Sequence, residues 1–158
     1  MSNIEHALDM AANIKGAFAV ALVDWESGMM LGSRGGSAEF DLDVAAPGNS
    51  DVIRTKMEVV QKLGLREQIE DILITLDTQY HLLRMIRGTD EKLFFYLVLN
   101  RAQANLAMAR RDLRVIEQDF YMAHPAANTR QAVPGNEGQF FPPTSADSGP
   151  AGEVKRTS

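Results

Sequence analysis

The sequence predicts a layered α/β domain. One observation behind that expectation is the run Leu93-Phe94-Phe95-Tyr96-Leu97-Val98-Leu99, wholly apolar, which passes directly into the helix-patterned stretch that starts at Asn100-Arg101-Ala102-Gln103-Ala104-Asn105. A strand without polar alternation is covered on both faces, and the helix that follows it covers only one. A second layer must therefore pack on the other side. Another observation is a second apolar run, Ala17 to Asp24, bounded by Gly16 before it and Trp25-Glu26-Ser27-Gly28 after it. The third is the apolar periodicity of 3 to 4 residues in three separate segments, the mark of helices lying on a sheet.

Taken in order, Ser2 and Glu5 have the spacing of a capping box, in which each side chain satisfies a backbone amide at a helix start. Ile4, Ala7, Leu8, Ala11 and Ile14 then recur at helical spacing, and Gly16 is the natural stop, giving a first helix from about Asn3 to Lys15. Ala17 to Asp24 reads as a buried strand. The tight turn after it leads into a shorter outer strand over Met29 to Gly32, and Ser33-Arg34-Gly35-Gly36-Ser37 reads as a flexible loop. That loop lacks the Gly-Lys-Ser/Thr ending of a phosphate cradle.

Pro47-Gly48 interrupts the helix-compatible run from Asp41 to Ala46, and a firmer helix follows from Ser50 to Leu63. In it Val52, Ile53, Met57, Val59, Val60 and Leu63 fill an arc of roughly 160°, wider than the ~100° needed to sit on one sheet. The surplus suggests a second partner surface, or else an arc covered wholly by the sheet or a loop. After Gly64, Ile69 to Leu76 reads as a strand with Ile72, Ile74 and Leu76 on one face and Leu73 and Thr75 on the other. Gln79 to Arg87 reads as the next, and Gly88-Thr89-Asp90-Glu91-Lys92 links it to the Leu93 strand as a hairpin. The last helix is expected from about Ala102 to Phe120, with Ala102, Leu106, Ala109, Leu113, Ile116 and Phe120 inward and Arg110, Arg114 and Glu117 outward.

A chain of 158 residues suits one domain with an appendage. We expect the domain over residues 1–122 and a disordered Pro/Gly/Ser-rich tail over 123–158, whose bulky apolar residues are Phe140 and Phe141. Phe140-Phe141-Pro142-Pro143 is a candidate docking motif within it. The formal charge of -5 argues against nucleic acid as a partner. Arg101, Arg110, Arg111 and Arg114 form a local basic patch that reads as a solvated helix face. Without cysteine there is no disulfide, thiol nucleophile or thiolate metal site. The N-terminus lacks the pattern of a secretory signal, and Ala17 to Val23 is too short to span a bilayer, which takes ~20 residues. A cytoplasmic protein without membrane insertion is the expectation.

Candidate chemistry is sparse. His6, His81 and His124 lack metal-pair spacing. Asp41 and Asp43, or Asp90 and Glu91, pair carboxylates, but capping and turn roles account for them. No nucleophile-elbow serine occurs. We therefore expect neither an enzyme nor a bound cofactor or metal. Trp25, at a hairpin end, reads as the cover of a core edge, with an anchor for a partner as the alternative.

Three stretches carry a resemblance: Gly16-Ala17-Phe18-Ala19-Val20-Ala21-Leu22-Val23-Asp24 with the Gly28 turn; Glu70-Asp71-Ile72-Leu73-Ile74-Thr75-Leu76 followed by Gln79-Tyr80-His81-Leu82-Leu83; and Leu97-Val98-Leu99-Asn100-Arg101 leading to Ala104-Asn105-Leu106-Ala107. Over about Ile4 to Tyr121 the chain resembles the roadblock family of dynein light chains and its short stand-alone bacterial members. The resemblance implies a roadblock/profilin-like α/β (α+β) fold, a five-stranded antiparallel sheet with the middle helix on one face and the terminal helices on the other. It also implies a homodimer, with the Ile69–Leu76 edge strand pairing with its copy and the middle helices meeting. Ile53, Met57, Val60, Ile72, Leu73, Ile74 and Thr75 would form the dimer or partner interface.

By the same resemblance the function would be that of a non-catalytic regulator or scaffold for a small Ras-like GTPase or related signalling protein. Some bacterial relatives accelerate a partner's GTP hydrolysis without an arginine finger, so neither Arg54 nor Arg101 is assigned that role. Pro47-Gly48 departs from a smooth middle helix. Two other functions suit the same profile: a small-molecule sensor, with Tyr96 and His81 as the polar groups in its core, and a dimeric chaperone for a secreted effector.

Overall fold

The computed structural model describes residues 3–122. Its elements are α1 (Asn3–Ala12), β1 (Ala17–Asp24), β2 (Met30–Gly35), α2 (Leu42–Lys62), β3 (Asp71–Thr75), β4 (Gln79–Met85), β5 (Leu93–Asn100) and α3 (Leu106–Met122). The order matches the expectation from sequence. The proposed cap Ser2 and the tail over 123–158 lie outside the described residues.

The strands form one antiparallel sheet in the order β2-β1-β5-β4-β3. β5 is its centre and is buried from Leu93 to Leu99. Because successive side chains of a strand point to opposite faces, its two sets of residues enter two cores. Leu93, Phe95, Leu97 and Leu99 pack with Leu8 and Ala11 of α1 and with Leu113, Ile116 and Phe120 of α3. Phe94, Tyr96 and Val98 pack with Leu42, Ala46 and Ile53 of α2. The middle helix thus lies on one face and the two terminal helices on the other.

Local chemistry sets the element ends. Gly16 has φ +85°, and a Cβ there would come within 2.9 Å of the Ala104 backbone, so glycine is required twice over. The Asp41 carboxylate caps α2 by accepting from the Asp43 amide at 2.9 Å.

Four expectations are corrected. α1 stops at Ala12 rather than Lys15, and residues 13–16 form the turn. β2 continues through Ser33, Arg34 and Gly35, which pair with Ala21, Val20 and Ala19 instead of forming a loop. Arg34 is held there by Glu5 and Asp9 of α1, the latter at 2.8 Å. α2 runs unbroken through Pro47, because the buried stripe Leu42, Ala46, Ser50 and Ile53 continues across it. Tertiary packing outweighs the local penalty, and the Asp43 carbonyl that loses its intrahelical donor belongs to an exposed residue. α3 starts at Leu106, not Ala102, since the Asn105 side chain accepts from the Met108 amide at 3.2 Å and caps the helix.

A further correction concerns Glu117, expected outward but only 4% exposed. Arg84 of β4 donates to its Oε1 from Nε at 3.2 Å and from Nη2 at 3.1 Å, and from Nη1 to Glu70 at 3.3 Å. A buried carboxylate is tolerable only when paired in this way. Asp71 draws α3 to the same edge through Arg110, which donates to both carboxylate oxygens at 2.8 and 3.0 Å.

On the α2 face the Tyr96 hydroxyl lies 2.9 Å from His81 Nδ1, and His81 Nε2 lies 2.9 Å from Gln79 Oε1. Neutral His81 satisfies both contacts by accepting from the phenol and donating to the amide. Burial holds the imidazole below its ordinary value of 6.5. Burial also pushes the Tyr96 phenol up, with the Asn49 hydrogen bond opposing.

Glu117→Leu should destabilise the domain by about 3 kcal/mol because Arg84 is left buried beside the more exposed Glu70. Adding Arg84→Met should recover most of that loss in urea denaturation at fixed protein concentration. For His81, the unfolded chain takes up a proton that the folded chain resists, so its contribution is complete above about 6.5 and falls as pH drops below it. Thermal midpoints should therefore decline between about pH 7 and 5.5, and that decline should flatten in His81→Gln. The separate loss from Glu70, whose carboxyl Arg84 holds below its ordinary value, belongs to more acid pH.

Candidate functional site

The residues proposed for association lie on two elements. β3 is an edge strand, paired with β4 from Asp71↔Arg84 to Thr75↔Tyr80 and with no strand on its other side among the described residues. Bonds from Leu76 to Gln79 and from Met85 to Glu70 lengthen that pairing by a residue at each end. The strand itself is shorter than the expected Ile69–Leu76 span. Ile72 packs toward the α2 core and Leu73 toward the α1/α3 core, while Ile74 is half-buried and Thr75 exposed.

On α2, Met57 and Val60 are half-buried, and Met57 touches the same core as Ile72. Ile53 is corrected: it is 0% exposed within its own subunit, so it supports the helix and offers nothing to a partner. The exposed part of the arc lies at Val52, Val59 and Leu63, with Leu63 66% exposed. The width of the apolar arc was the signal for these three positions; which of its residues faced the sheet was fixed only once the helix was seated.

The sheet has a second free edge, β2, and it is built differently. Pairing passes from Leu22↔Gly32 to Val23↔Met30, which leaves Leu31 as a bulge. A bulge disrupts the regular ladder that an incoming strand would copy. β3 has no such interruption in its register. Of the two edges, β3 is the one with the regular row of backbone groups and with apolar side chains on both faces.

Other candidate residues have local roles. Arg54 donates to the Trp25 carbonyl and pairs with Asp51. Arg101 donates to the Leu76 carbonyl at 2.8 Å and lies 5.1 Å from the Tyr80 ring centre. Trp25 packs against the α2-face core with the Lys92 ammonium 5.4 Å from its ring centre. Tyr96 and His81 bond to each other rather than converging on a cavity. Among the described residues, no group of three or more acidic or imidazole side chains is placed to hold a metal, and no helix is long and apolar enough to cross a membrane.

No protein-family model and no curated protein sequence matches the chain. Solved structures do. Myxococcus xanthus MglB superposes with a TM-score of 0.70 at 12% identity, over 80% of this chain and 98% of that one. A Roadblock/LC7 domain from Streptomyces avermitilis gives 0.60 at 10% identity, over 70% and 88%. MglC from Myxococcus xanthus gives 0.50 at 18% identity, over 77% and 98%. The helix order, the five-stranded antiparallel sheet and these superpositions agree that the chain has the roadblock fold.

Proposed function

We propose that this chain is a dimeric, non-catalytic regulatory or scaffold module that binds a small Ras-like GTPase or a related signalling protein. The observation that carries the reading is the regular β3 edge, without a second strand among the described residues, together with the exposed portion of the α2 arc. Among the described residues of one subunit the edge leaves backbone groups without a strand partner, and Val52, Val59 and Leu63 are exposed. A second copy pairing β3 with β3 and α2 with α2 would cover both at once. The fold shared with MglB, one structure of which is described as tetrameric in arrangement, supports an assembling module.

The regulatory half of the reading rests on the roadblock fold and on the local roles of the charged side chains. Arg54 and Arg101 are engaged with carbonyls of their own subunit. Asp41 is engaged as a helix cap. Such a module acts through shape and burial: it holds a partner's surface in one conformation across the doubled sheet. Cytoplasmic residence fits that role.

Light scattering across a dilution series should show a dimer that dissociates on dilution. Met57→Glu should weaken it about a hundredfold, since an unpaired charge placed in an interface costs about 3 kcal/mol. A strictly monomeric mass at every concentration would overturn the assembly. Affinity purification from the native cell should recover a small GTPase with the wild-type protein and lose it with Met57→Glu; recovery of an unfolded client instead would favour the chaperone reading.

A further inference from the structure

A groove of about 630 Å³ opens at the end of the sheet where β4 turns into β5. The last turns of α2 and residues 65–69 form one wall, and residues 88–92 form the other. Its apolar lining comes from Trp25, Met57, Val60, Ile69, Met85 and Ile86. Around the rim Arg66, Arg87 and Lys92 balance Glu67, Asp90 and Glu91, so the groove carries no net charge to attract an ionic ligand. The occupant it suits is uncharged, apolar and extended.

One segment of this chain has that chemistry and begins within reach. Residues 138–146, Gly-Gln-Phe-Phe-Pro-Pro-Thr-Ser-Ala, carry no charge and contain Phe140-Phe141-Pro142-Pro143. α3 ends at Met122, and its last turns lie at the groove end of the sheet, on the opposite face from α2. There Glu117 contacts Arg84, two residues before Ile86, and Phe120 stacks edge-on with Phe95, two residues after Leu93. Moving from the α3 layer to the α2 layer takes about 20 Å at about 10 Å per packed layer. Residues 123–139 cover roughly that distance as a coil and about 55 Å fully stretched.

We propose that Phe140-Phe141-Pro142-Pro143 docks in this groove, so that the chain's own C-terminal segment covers the sheet end beside Trp25. Consecutive prolines favour an extended left-handed helix, which loses little entropy on binding an apolar groove, here one with Trp25 as its aromatic wall. Met57 and Met85 give that groove a lining that adapts to the phenyl rings. The assignment does not depend on the dimer, although Met57 and Val60 belong to both surfaces.

Trp25 is the chain's single tryptophan, so its fluorescence reports on the groove alone. In the full-length protein, Phe140→Ser with Phe141→Ser should shift the emission to longer wavelength, increase acrylamide quenching and move the indole N–H resonance. The circular dichroism should stay unchanged, because neither substitution alters a residue of the sheet or of the helices. A synthetic peptide spanning residues 136–146, added to the double variant, should reverse all three changes. Identical spectra for the two proteins, or a peptide without effect, would overturn the assignment. A Trp25 signal that follows protein concentration and ignores the substitutions would also overturn it, giving the groove to a second copy.

Discussion

β5 has no face for water, and the rest of the domain is arranged around that constraint. Leu93 to Leu99 is buried throughout, so the strand needs a ladder on each side and a layer on each face. β1 and β4 supply the ladders. α2 covers Phe94, Tyr96 and Val98, while α1 and α3 share the other side because one helix is too narrow to cover four large residues along with the flanking strands. Polar groups drawn into these layers carry their partners with them, as Glu117 does with Arg84 and His81 with Tyr96.

The cost of centring the sheet on β5 appears at its margins, where, among the described residues, β2 and β3 have one neighbour each. The domain treats them differently. β2 is interrupted by the Leu31 bulge and tied to α1 through Arg34. β3 keeps a regular register and is braced from behind, Asp71 by Arg110 and Glu70 by Arg84. A strand held in register, with no second neighbour among the described residues, keeps a regular row of backbone groups on its outer side. The proposed association therefore uses the edge that the ion pairs have already ordered.

Much of this was legible in the sequence, wherever a single physical demand governed a segment. The unbroken apolar runs announced β1 and β5, and glycine at position 16 announced the turn between α1 and β1. Sequence reading failed where a distant partner decided the outcome. Glu117 turns inward because Arg84, far away in the chain, meets it there. Ser33, Arg34 and Gly35 become strand because Glu5 and Asp9 anchor the arginine. Pro47 stays helical because residues on either side of it are buried on the sheet. At the candidate site, the width of the α2 arc left two outcomes open, surface left over or full cover by the sheet or a loop, and Val52, Val59 and Leu63 stay exposed. The inward placement of Ile53 depended on how the helix was seated, which periodicity alone does not fix.

β1 finds its central neighbour in a strand made much later: Asp24 lies opposite Leu93, and Ala17 opposite Leu99. During synthesis the first hairpin has α1 to lie against Val20 and Leu22, but its inner ladder stays empty until β5 emerges, and α1 lacks α3 beside it. Closing so long a loop costs entropy before the β1–β5 contacts form, and pairing of that kind slows folding.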